Sequence, residues 1–134
     1  MDMPKNQHEF ELQKAVCKWI SLAYPKILFI SDTIASIKLT IPQQKRNSLI
    51  HKKGFKCPDI IIFEPNQHYN GLFIELKIKS PFKKDGTILK DEHIEGQFKN
   101  INELKSKGYY ACFSWSFSMT QSIINDYLAN KLFI

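Results

Sequence analysis

Cysteine is scarce in this chain: only Cys17, Cys57 and Cys112 occur, and no two of them form a C-x-x-C pair. An odd count without ligand spacing argues against a disulfide framework and against structural zinc, and suits a reducing compartment. The four histidines, His8, His51, His68 and His93, are equally scattered. Five Gly and six Pro among 134 residues are too few for a fibrous or disordered chain. Long apolar runs are absent too. The strongest, Ile60-Ile61-Ile62-Phe63, falls far short of the roughly 20 residues of a membrane span. The N-terminal residues Met1 to Gln7 lack the apolar stretch of a signal peptide. A cytoplasmic (intracellular) protein without a membrane partner is the expectation. With 43% hydrophobic residues, ten Phe among them, residues 1–134 are expected to make one domain around a single core.

Arginine is nearly missing as well, Arg46 being the single one beside eighteen Lys, yet the formal net charge is +6. The cations are clustered. Between Ser36 and Lys56 stand Lys38, Lys45, Arg46, Lys52, Lys53 and Lys56 with no acid between them. From Lys77 to Lys90, five lysines (Lys77, Lys79, Lys83, Lys84 and Lys90) face Asp85 alone. Such clusters are the footprint of a polyanion binder, although a merely soluble basic surface has the same composition. Lysine offers point charges to phosphates rather than bidentate forks to bases, so sequence-specific reading is not indicated.

Hydrophobic spacing predicts a helix over 7–23, with Leu12, Ala15, Val16, Trp19, Ile20 and Ala23 on one face, Asn6 as its cap and Tyr24-Pro25 as its stop. A short strand follows at Ile27–Ser31, and then a basic helix over 43–53 ended by Gly54. Strands are expected at Asp59–Phe63 and Leu72–Ile78, joined as a hairpin through a turn-rich connector. After a polar, Lys-rich segment come a helix at Glu92–Lys107 stopped by Gly108, a strand at Tyr109–Ser114 and a helix at Met119–Lys131. Helices alternating with strands around a mixed four-stranded sheet define an α/β fold.

The chemistry-bearing residues lie in the hairpin. On a strand, residues two apart share a face, so Glu75 and Lys77 project together. An antiparallel neighbour opening at Asp59 can set a second carboxylate beside Glu75. Two such carboxylates repel unless a cation lies between them, and an oxygen-rich pair suits Mg²⁺ or Mn²⁺. A lysine just beyond would hold a water and meet charge developing on a phosphate. These are the parts of a phosphodiester hydrolase. A solvated strand face of alternating charge would read the same in Glu75-Leu76-Lys77. Gln97 falls within the apolar arc of its helix, where it needs a partner, either this site or the backbone. At about 100° per residue from Leu12, Glu9 falls near 60°, inside the apolar arc of the first helix, whereas Glu11 falls near 260°, outside it.

Pro58-Asp59 followed by Glu75-Leu76-Lys77 resembles the PD-(D/E)xK nuclease signature. More narrowly, the chain resembles the virus-type replication-repair nuclease domain, VRR-NUC. The resemblance runs through Glu9-Phe10-Glu11-Leu12-Gln13, Lys56-Cys57-Pro58-Asp59, Gly71-Leu72-Phe73-Ile74-Glu75-Leu76-Lys77, Gln97 and Leu104-Lys105-Ser106-Lys107-Gly108-Tyr109. Lys56 stands where the family often has Gly. The resemblance implies a restriction-endonuclease-like αβββαβ core and a Mg²⁺-dependent endodeoxyribonuclease of replication, repair or recombination, viral or phage-like in type. It implies Asp59, Glu75 and the backbone carbonyl of Leu76 as metal ligands and Lys77 as the catalytic lysine. Glu9 would reach the metal directly or through water, and Gln97 would support the site. The expected partner is DNA, branched or flapped, approached by Lys45, Arg46, Lys52, Lys53, Lys56, Lys79, Lys83 and Lys84, with a homodimer as in small junction resolvases. The alternative is a nucleic-acid-binding module that keeps the fold without the chemistry.

Overall fold

A computed structural model describes residues 5–31 and 39–131 of the chain. Ser36 and Lys38, at the start of the first cation cluster, lie outside the described residues. Among the described residues eight elements follow in order: α1 (Lys5–Ala23), β1 (Phe29–Ser31), α2 (Ile41–Ile50), β2 (Ile60–Ile62), β3 (Leu72–Leu76), α3 (Glu92–Ser106), β4 (Tyr110–Ser114) and α4 (Phe117–Leu128). The four strands form one sheet in the order β1-β2-β3-β4. The first two pairings are antiparallel, and β3 pairs with β4 in parallel through the crossover helix α3. The fold is thus the α/β arrangement expected, a mixed four-stranded sheet flanked by helices.

Period-2 alternation along β3 divides the core between the two faces of the sheet. Leu72, Ile74 and Leu76 join Ile60, Ile62, Val16, Ile20, Ile124 and Tyr127 in a cluster that packs α1 and α4 on one side. Phe73 points the other way, toward Ala111, Phe113, Ile101 and Leu104 beneath α3. Ile60, Ile62, Leu72 and Ile74 are fully buried, each stabilising the fold by roughly 1.5–3 kcal/mol relative to exposure.

Helix ends follow local chemistry. Asp91 accepts from the Ile94 N–H at 3.0 Å to cap α3, with Glu92 and Glu95 in the first turn and Lys105 in the last favouring the dipole. Gly108 ends the helix at φ +90°, and a Cβ there would sit 2.6 Å from Asn70 Nδ2, so the position demands glycine.

Several expected boundaries shift. Asn6 is inside α1 rather than its cap, because the helix already starts at Lys5. Ala15 and Ala23 are exposed, leaving the narrower stripe of Leu12, Val16, Trp19 and Ile20 to face the core. The basic helix runs Ile41–Ile50 rather than 43–53. Thr40 and Gln43 close a capping box at its start, and His51 is already extended at its end. It buries no residue, so no packing holds further turns. The second hairpin strand stops at Leu76, and α4 starts earlier than Met119 because Ser116 caps it at the Met119 N–H. It also ends before Lys131, with Asn130 in the left-handed region at φ 62°.

Candidate active site

The register of the central hairpin sets the site. Ile60 stands opposite Ile74 and Ile61 opposite Phe73, so the next step outward puts Asp59 opposite Glu75. Glu75 then projects on the face of Phe73, beneath α3, with Asp59 beside it. Asp59 does not continue the ladder with its backbone. Its Oδ2 accepts from the Leu76 N–H at 2.8 Å. A strand residue's N–H and C=O leave along the same edge, so the Leu76 carbonyl is also directed to the Asp59 side. The Asp59 carbonyl accepts from Ser31 Oγ at 2.7 Å, and Gln13 Nε2 donates to the same Ser31 oxygen at 2.6 Å. Strand β1 and helix α1 thereby brace the point where β2 begins.

Glu75 is 8% exposed, and Gln97 Nε2 donates to its Oε1 at 2.7 Å from α3. The Asp59 and Glu75 side chains lie beside each other, so ionising either one raises the cost of ionising the other. Burial, followed by the Asp59 charge, pushes Glu75 up to about 9, while Lys77 pulls it back. Burial raises Asp59 as well, against the opposing Leu76 N–H bond. This is how two carboxyls behave when they sit side by side away from water. Lys77, only 5% exposed, continues the parallel pairing through its N–H to the Ser114 carbonyl at 2.8 Å, and its charge acts on both carboxyls.

Glu9 arrives from the N-terminal turns of α1. Its charge acts on Asp59 and Glu75, and its Oε1 is buried with no hydrogen-bond partner in the protein. Glu11 is exposed and accepts from Gln7 on the helix surface at 3.1 Å. The helical wheel thus separates the two acids as expected. Gln97 Oε1 is likewise buried and unpartnered.

Asp59, Glu75, Lys77, Glu9 and Gln97 therefore converge on one place. Among the described residues no three His, Cys, Asp or Glu side chains form a ready metal cage. The site is instead a carboxyl pair with further oxygens nearby. Two adjacent carboxyls, both raised, with an orphaned carboxylate oxygen of Glu9 beside them fit a divalent cation bound by oxygen.

The basic residues divide. Lys56 is exposed at the edge of a cleft next to the site, and its charge, like that of Lys77, acts on His93. Lys79 is exposed just after Lys77, and Lys83 and Lys84 sit on the turn closed by the Phe82–Ile88 bridge. Lys45, Arg46, Lys52 and Lys53 are exposed on and after α2, and no described hydrogen bond or ion pair ties them to the carboxyl pair. His93, one of the scattered histidines of the sequence, proves to be a neighbour of the site, its Nε2 being 3.2 Å from Gln97 Nε2. Its position four residues before Gln97 on α3 is the only trace of this in the sequence.

A solved structure described as a VRR_NUC domain protein is similar to this chain, with a TM-score of 0.59 at 22% identity. The match covers 94% of this chain and 92% of that one. No protein-family model and no curated protein sequence matches the chain. The chain has a VRR-NUC-like fold, as the motif order implied. Among the described residues, no helix is long and apolar enough to cross a membrane.

Proposed function

We propose that the protein is a Mg²⁺- or Mn²⁺-dependent endodeoxyribonuclease whose site is Asp59, Glu75 and Lys77, assisted by Glu9 and Gln97. The observation that supports this most is the adjacent Asp59–Glu75 pair, with Glu75 and Lys77 both buried on the same face. Asp59, Glu75 and the Leu76 carbonyl would hold the cation, with Glu9 adding an oxygen directly or through water. When bound, the ion supplies positive charge against the carboxylates and the phosphate and lowers the pKa of a bound water.

The chain's own groups do the rest. The Leu76 N–H keeps Asp59 in one rotamer, and Gln97 does the same for Glu75. Lys77 orients the attacking water and meets charge building on the phosphate oxygens, its near-complete burial strengthening both effects. In-line attack breaks the P–O3′ bond and leaves a 5′-phosphate and a 3′-hydroxyl. The exposed lysines at 79, 83 and 84 and at 45, 52, 53 and 56, with Arg46, supply contacts to flanking phosphates. One site per chain cuts one strand, so symmetrical cutting of a branched DNA calls for a two-fold pair of chains.

The test is incubation with linear, nicked, flapped and junction DNAs in Mg²⁺, Mn²⁺ or EDTA. Cleavage with either cation and none in EDTA is expected. No cleavage of any substrate with either cation, together with retained DNA binding, would turn the reading into that of a binding module.

A further inference from the structure

Helix α3 carries a glycine in its interior with no structural need for one. Gly96 stands between His93 and Gln97 in a continuous helix, where glycine is the poorest former after proline. Its backbone is not in the left-handed region, and a Cβ built there would meet no atom within 4 Å. Neither strain nor crowding excludes a side chain. What a side chain would enter is a cleft of about 320 Å³ that Gly96 lines together with Phe55, Lys56, Glu92, His93, Gln97 and Asn100. The volume is at the small end of ligand sites.

The walls have a definite chemistry. Phe55 offers a half-buried ring. Asn100, 8% exposed, is fixed by its Nδ2 donating to the Lys56 carbonyl at 3.3 Å. Gln97 links this cleft to Glu75 through Nε2, and its own Oε1 is buried without a partner. His93 lies beside it, and burial together with the Lys77 and Lys56 charges holds the imidazole toward its neutral form, with one donor and one acceptor. An aromatic face with two carboxamides and a neutral imidazole suits a heteroaromatic edge that both donates and accepts. The Glu92 carboxylate on the same wall disfavours a phosphate inside, while Lys56 at the edge suits the phosphate of the connecting backbone.

We propose that this cleft receives an unpaired nucleobase of the DNA, next to the bond that is cut, and that Gly96 keeps the room for it. The assignment rests on the nuclease reading above and specifies its substrate class: DNA with a base already out of the stack, where extrusion costs least. Selection for an unpaired base then comes from this cleft, and cleavage from the carboxyl pair beside it.

The experiment compares wild type with Gly96→Ala and Gly96→Leu. Fluorescence anisotropy measures binding to a fully paired duplex and to the same duplex with one unpaired thymidine, in EDTA. Cleavage in Mg²⁺ and thermal denaturation are followed in parallel. Wild type is expected to bind the unpaired-thymidine duplex about tenfold more tightly, the scale of one base stacked on an aromatic ring. Gly96→Leu is expected to lose that preference with Tm equal to wild type or higher, since both replacements are better helix formers. Gly96→Ala is expected to fall between the two. Equal wild-type binding to both duplexes, or a folded Gly96→Leu that retains the preference, overturns the cleft assignment while Mg²⁺-dependent cleavage leaves the nuclease reading standing. A wild-type protein that neither binds nor cuts either DNA overturns both.

Discussion

Replacing Glu75 by Gln makes the electrostatic cost of the site measurable without any cleavage assay. Burial and the adjacent Asp59 hold Glu75 at about 9, against 4.5 for a free side chain. Over the interval between those values the folded protein keeps a proton that the unfolded chain has released, so stability falls as pH rises through it. At about 1.4 kcal/mol per pH unit, the loss reaches ~3 kcal/mol by pH 7. For a chain of this size that is about 10 °C in Tm. Gln keeps the shape, stays neutral, and can still accept from Gln97 and donate to Asp59. Thermal denaturation of both proteins in EDTA from pH 5 to pH 8.5 should show matching Tm values at the acid end and a widening advantage for Glu75→Gln above it. Titrations common to both proteins cancel in the difference. Mg²⁺ at pH 8 should raise the wild-type Tm and leave that of the variant nearly unchanged, because ligand binding stabilises only the protein that binds. Parallel curves across the range, or a variant less stable than wild type at pH 8, would refute the coupling between the two carboxyls.

Three further outcomes follow from the same geometry. Asp59→Asn should abolish cleavage in Mg²⁺ while DNA affinity by anisotropy stays equal or rises, since the change removes an anion that repels the backbone; near wild-type cleavage would sink the assignment. Glu9→Gln should reduce Mg²⁺-dependent cleavage while Glu11→Gln, exposed on the far side of α1, should leave it within twofold; the reverse order would mean that α1 presents the other acid. Neutralising Lys52 and Lys53 should lower the slope of log K against log [salt] by about two, each phosphate contact contributing about 0.9, and an unchanged slope would place that segment away from the DNA.

The hairpin was readable because its signals are short-range. Two β-branched, apolar stretches flank a turn-rich connector, and alternation alone puts Glu75 and Lys77 on one face. Gln97 was readable for a related reason, as a polar group inside an apolar helical arc, and the structure gives it Glu75 as a partner. Glu9 followed from the helical wheel, although Ala15 and Ala23, read into the same arc, are exposed. A small side chain adds little to the burial that orients a helix, so alanine marks a face poorly. The extent of α2 is not legible in the sequence, because the helix buries no residue and no apolar pattern marks its end. The Gln13–Ser31–Asp59 brace was not readable at all, and His93 only through its spacing from Gln97. The brace joins residues from different elements, and no spacing along the chain encodes where β1 comes to rest against α1 and β2.

The facing of Asp59 and Glu75 depends on a pairing of only three residues on each strand, Ile60–Ile62 against Leu72–Ile74. Side chains alternate with every step, so one residue inserted into or deleted from either strand would turn its carboxyl to the opposite side of the sheet. It would also push isoleucines out of the core, so the lesion would show in folding as well as in chemistry. The connector from 63 to 71 and the lysine-rich stretch from 78 to 91 are under no such parity rule. Length variation among related chains is therefore expected to collect in those two segments, together with changes in how branched a DNA the protein can reach. The distance from Asp59 to Glu75 along the chain can drift freely, provided that both strands keep their phase.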